Sequence, residues 1–108
     1  MNDSTAVIQR VPELEARAGI ELEGIFATIE ESDYDLKSLN VNFDVTSPRG
    51  SIQGSLSIHV SAYNKAGQLV GTESTTLWSD DFVGFESVSE RVTLYDEPSV
   101  VLIFPQQR

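Results

Sequence analysis

The chain has 108 residues, 40% hydrophobic and 22% charged, which suits one globular domain and leaves no room for two independent cores. Seventeen acidic residues against seven basic ones give a formal charge of −10, a polyanionic surface that repels nucleic-acid phosphates and anionic membranes alike. The absence of cysteine excludes disulfides, thiol chemistry and cysteine-based zinc sites.

From the N-terminus, Met1-Asn2-Asp3-Ser4 lacks the basic flank and apolar core of a secretory signal. No apolar run approaches the ~20 residues of a membrane span, so a cytoplasmic location is expected. Thr5 to Val11 reads as an edge strand. Pro12 to Gly19 reads as a short helical turn, with proline at its start and glycine at its exit. So short a helix is weak by itself, and an irregular connection is the alternative. Residues 1–19 thus form an edge strand plus a lead-in to a single domain spanning 1–108. Ile20 and Leu22 then alternate with Glu21 and Glu23. After Gly24 the phase slips, and Ile25, Ala27 and Ile29 become the apolar set, which predicts a β-bulge at the glycine. Glu30, Glu31, Asp33 and Asp35 fall in one acidic loop.

Leu39, Val41, Phe43 and Val45 alternate with Asn40, Asn42 and Asp44, a half-buried strand that turns at Thr46 to Gly50. From Ser51 to Tyr63 the alternation is strict. Ile52, Gly54, Leu56, Ile58, Val60 and Ala62 take one face; serines, Gln53, His59 and Tyr63 take the other. An apolar wall backed by a wet wall is expected, because a helical period would scatter these residues around its circumference. Asn64-Lys65-Ala66-Gly67 turns the chain into a second extended segment, Gln68 to Trp78, and so makes a hairpin. Ser79 to Phe85 is a loop bracketed by aromatics. Val88, Val92 and Leu94 form the next strand, whose apolar face is interrupted by Glu90. After the turn at Asp96-Glu97-Pro98, the continuous apolar run Val100 to Phe104 suits a strand buried on both faces, or a short closing strand.

About seven short strands with short connections predict an all-β, single antiparallel two-sheet sandwich of the immunoglobulin or fibronectin-III kind. The cysteine pair of antibody domains is missing, so only the wider architecture is implied; a partly open barrel is the alternative.

The segment Val60 to Thr72 (VSAYNKAGQLVGT) resembles the hairpin of FxLYD-type bacterial domains, small β-sandwich modules with a strand ending in tyrosine and aspartate before a glycine turn. Tyr63 matches the tyrosine, while Val60, Ala62 and Asn64 stand for the phenylalanine, leucine and aspartate. Leu39 to Val45 fits the preceding strand. Val92-Thr93-Leu94-Tyr95-Asp96 is closer to the letters, but Glu97-Pro98 follows in place of the glycine turn. The resemblance covers about half of the chain. It implies a non-catalytic module and supplies no functional residues.

Catalysis requires polar groups that converge on one point, usually with a base. The single histidine, His59, sits by parity on the polar face between Ser57 and Ser61, and reads as an ordinary surface residue. No nucleophile elbow, phosphate loop, dinucleotide fingerprint or histidine metal motif is present. No catalytic, cofactor-binding or metal residue is therefore assigned, and no cofactor is expected. Trp78, Phe82, Phe85 and Tyr95 surround the loop after the hairpin and either plug the open end of the core or, if exposed, contact a ligand or partner. Asp33, Asp35, Asp80 and Asp81 are the candidate calcium ligands, although the EF-hand glycine and distal glutamate are absent. Ser55, Ser57, His59 and Ser61 are expected to neighbour Ser74, Thr75 or Thr76, forming a flat uncharged face suited to docking another surface. The leading expectation is a non-enzymatic interaction or assembly module with a protein partner, homo-oligomers through a sheet edge included. The rival is a carbohydrate- or calcium-dependent ligand-binding module. A small enzyme using His59 ranks third.

Overall fold

In the computed structural model, which describes residues 7–31, 37–52 and 54–107, the alternating segments become strands flanking one short helix. In chain order they are β1 (Val7–Arg10), α1 (Pro12–Ala18), β2 (Glu21–Glu31), β3 (Lys37–Thr46), β4 (Ser55–Tyr63), β5 (Leu69–Trp78), β6 (Phe85–Leu94) and β7 (Val100–Gln107). They form an all-β sandwich of two sheets, one ordered β1-β7-β4-β5 and the other β2-β3-β6. Every paired neighbour is antiparallel except β1, which runs parallel to β7. No helix among the described residues is long and apolar enough to cross a membrane.

The period-two pattern decides which side chains meet between the sheets. Leu39, Val41, Phe43 and Val45 of β3 face Leu56, Ile58, Val60 and Ala62 of β4, all buried. Each large aliphatic removed from water contributes about 1.5–3 kcal/mol, so these two strands anchor the fold. Val101 and Ile103 of β7 and Val88, Val92 and Leu94 of β6 complete the same core cluster. Phe82, in the loop after β5, closes one end of it.

Several local expectations need revision. The strand expected from Ser51 begins at Ser55, because Gly54 adopts a left-handed conformation (φ 65°) that extended backbone does not accommodate. Ile52 is buried nonetheless. The wall expected to be wet is only partly so: Ser57 and Ser61 are 5% and 7% exposed, since β4 lies between β5 and β7, whereas Ser55, His59 and Tyr63 are half-buried. Finally, Val100 to Phe104 is not buried on both faces. Val101 and Ile103 point inward, whereas Val100, Leu102 and Phe104 are half-buried on the outer surface. The strand also continues to Gln107 through Pro105, which lies past the end of the β1 ladder at Ile103, where β7 has become an edge strand and tolerates proline.

Glu30 and Glu31, expected in an acidic loop, instead end β2, where the ladder with β3 pairs them with Ser38 and Lys37. The phase slip and the short helix fall where expected. The register of β2 against β3 shifts between Glu23 and Phe26, around Gly24. Helix α1 carries Glu13 and Glu15 in its first turn and Arg17 in its last, which suits the peptide dipoles, and packs beside β7. Its Glu15 is 2% exposed. The carboxylate accepts two hydrogen bonds from Arg10, Nε at 3.0 Å and Nη2 at 2.6 Å, and one from the Leu22 backbone N–H at 3.2 Å. This one side chain ties β1, α1 and the start of β2 together. It also holds the Arg10 guanidinium above its ordinary pKa.

Glu90 occupies an inward position of β6, opposite Val41, near the lip where β5 and β6 approach each other. Burial, and then the charge of Glu73, raises its pKa above the ordinary carboxylate value. The folded protein therefore holds the Glu90 proton more tightly than the unfolded chain does. The resulting stabilisation is fully present below the unfolded pKa and is lost as pH rises through the folded one. Glu90→Gln should raise the thermal midpoint at neutral pH by a few degrees, and change little below about pH 4. An identical melting profile for the two proteins at neutral pH would refute this account of Glu90.

Candidate functional site

The residues singled out in the sequence do not converge on one place. Trp78 is 57% exposed and sits at the end of β5, outward, opposite Ser55. Phe85 is 54% exposed but starts β6, on the outer side of the other sheet, opposite Thr46. Phe82 is buried in the core and presents no surface to a ligand. Tyr95 is exposed past the far end of β6, where its N–H donates to the Val70 carbonyl at 2.9 Å. Of the four aromatics, only Phe82 plugs the sandwich.

Asp80 and Asp81 are exposed on the turn following β5, and Asp33 and Asp35 lie outside the described residues. Among the described residues, no group of three or more histidine or carboxylate side chains is placed to hold a metal ion. Nor does any buried side-chain nitrogen or oxygen among them lack a hydrogen-bond partner.

The hairpin end of the sandwich carries an open groove of about 720 Å³, lined by residues that include Asn64, Lys65, Asp96 and Pro98. Its chemistry is largely internal. The Asn64 Oδ1 accepts from the backbone N–H groups of Ala66 and Gln68, and its Nδ2 donates to the Gln68 Oε1 and the Asp96 Oδ2. The Asn64 bond, with the Glu97 N–H, holds the Asp96 carboxyl below the usual carboxylate range. Asn64 thus builds the turn with its own side chain, and the groove holds no uncommitted polar cluster.

The outer face of the four-stranded sheet is different. Strand register sets its rows. One row, Val7–Val100–Tyr63–Leu69, crosses all four strands with an apolar or aromatic side chain at every position. Val7 and Leu69 are 53% and 55% exposed. The next row brings Leu102 beside Ser61 and Thr72, and the one after it brings Phe104 beside His59 and Ser74. The His59 and Phe104 rings stack, with centroids 5.3 Å apart and planes 19° from parallel. Hydroxyls pair across the strands: Ser61 with Thr72 at 3.2 Å and Ser57 with Thr76 at 3.4 Å. No outward position on these four strands carries Asp, Glu, Lys or Arg.

The outer face of the other sheet shows the contrast. There Asp44, Arg91, Glu21, Glu23 and Glu30 stand among asparagines, serines and the exposed Phe26 and Phe85, with Ser87 donating to Asp44 at 2.8 Å and Ser89 donating to Asn42. Charge is thus segregated between the two sheets. Sequence parity anticipated the serine, threonine and histidine rows; it missed Val7, Val100, Leu102 and Phe104, because their membership depends on β7 lying beside β4. The run Val100 to Phe104 was the available signal, since its alternate residues must face outward in any two-layer sandwich.

The chain matches no protein-family model, no curated protein and no solved structure.

Proposed function

We propose that this chain is a non-enzymatic interaction module, immunoglobulin-like and FxLYD-like in kind, that engages a protein partner through the outer face of its four-stranded sheet. The observation that carries the reading is the segregation of charge. A chain of net −10 keeps one whole sheet face free of ionised side chains and crosses it with an unbroken apolar row. Depletion of charge at the centre, with aromatic and aliphatic side chains in its place, is the compositional signature of a protein interface. The likeness of the Val60–Thr72 hairpin to FxLYD-type domains supports the same non-catalytic reading.

Sugar recognition is less well served. Sugars stack on open aromatic faces, whereas one face of the Phe104 ring is occupied by His59 and Trp78 stands at a corner beside Ser55. The test is a photo-crosslinking side chain placed at Leu102, compared with one at Asn42 on the opposite sheet, in cells producing the protein. A discrete protein adduct from position 102 and not from 42 is expected. Equal capture from both positions, or a shift of Trp78 fluorescence on titration with soluble polysaccharides, would overturn the assignment.

A further inference from the structure

We infer that the occupant of this face is a second copy of the same chain, docked sheet to sheet about a two-fold axis; the inference rests on the functional reading above and names its partner. Two bodies of charge −10 repel one another wherever their carboxylates approach. The outer face of the four-stranded sheet is the surface where they can meet without juxtaposing like charges, because its strands present no ionised side chain there. A two-fold arrangement sets the patch against itself, so it must be self-complementary. It is: the exposed Thr72 hydroxyl both donates and accepts, and the Val7–Leu69 row offers aliphatic surface to its own copy. Stacked sheets pack about 10 Å apart, which suits side chains of these sizes.

Size sets the strength. Four strands about 4.8 Å apart, with paired rows along roughly 30 Å, give a footprint of about 500 Å² per copy before corrugation. That is at the low end of specific interfaces, which bury about 800 Å² per partner, so the dimer is a weak one. Because repulsion between the two acidic bodies opposes it, added salt should strengthen association rather than weaken it. Pairing through charged surfaces would show the reverse.

Sedimentation equilibrium of the full chain, from about 1 µM to 1 mM at low and at near-molar salt, tests this. Reversible dimerisation is expected, tightening with salt. Leu102→Glu and Thr72→Glu should each weaken it by at least about tenfold, while Asn42→Glu on the other sheet leaves it unchanged. Circular dichroism melts establish that the variants remain folded; Thr72, exposed at its position, provides the milder substitution. A monomer throughout the range, or a dimer indifferent to both face variants, overturns the inference. If the monomer nevertheless crosslinks from position 102 to a different protein, self-docking fails and the interaction-module reading stands.

Discussion

Replacing Gly71 by alanine should destabilise the domain by about 2–3 kcal/mol, a fall of roughly 10 °C or more in the thermal midpoint. A Cβ at this position would lie 2.6 Å from the Thr93 carbonyl oxygen, 2.8 Å from Val92 Cγ1 and 3.3 Å from Leu94 Cδ2. The first of these is backbone and cannot rotate away. Relief requires β5 to move off β6 at the point where the two sheets come together along one side of the sandwich. Gly71 faces Ala62 just before the register shift at Tyr63, so small residues meet where the layers approach closest. Urea unfolding followed by circular dichroism measures the loss directly. A change below about 0.5 kcal/mol would mean that the close approach of β5 to β6 is not part of the folded state.

Removing Arg10 should cost nearly as much, about 2–3 kcal/mol for Arg10→Met. The arginine is partly exposed, but Glu15 is not, with side-chain exposures of 39% and 2%. Loss of the guanidinium strands a buried carboxylate with only the Leu22 N–H as a donor. Glu15→Gln should be milder, because it removes the buried charge and keeps an acceptor for both partners. The order of the two variants is therefore the diagnostic. Equal losses would indicate that the pair contributes through packing of its stems rather than through its charges. The consequence extends beyond stability, since Arg10 pins β1, and β1 carries Val7 at one end of the apolar row. Arg10→Met should loosen the proposed interface along with the edge strand.

The two-layer β architecture was legible because alternation is a local property. Leu39, Val41, Phe43 and Val45, or Leu56, Ile58, Val60 and Ala62, declare a strand and its inner face within one short window. The phase slip at Gly24, the Asn64 turn and the proline-to-glycine span of α1 were equally local, each set by backbone preferences of a few neighbouring residues. Glu15 was not legible as a structural residue. Nothing in its window says that Arg10 and the Leu22 N–H will enclose it, because that depends on β1 reaching the edge of β7.

The candidate face divides along the same line. By itself the sequence determined that Ser57, His59 and Ser61 share one side of a strand, and that the chain as a whole is strongly acidic. Only the tertiary structure decided that β7 lies beside β4, that β1 joins it in parallel from the opposite end of the chain, and that Trp78 and Phe85 point away on different sheets. The physical reason is one of range. Which side a side chain takes follows from the bond geometry of its own strand, whereas what covers that side is set by pairings between residues as distant as Val7 and Val100, which no local period encodes.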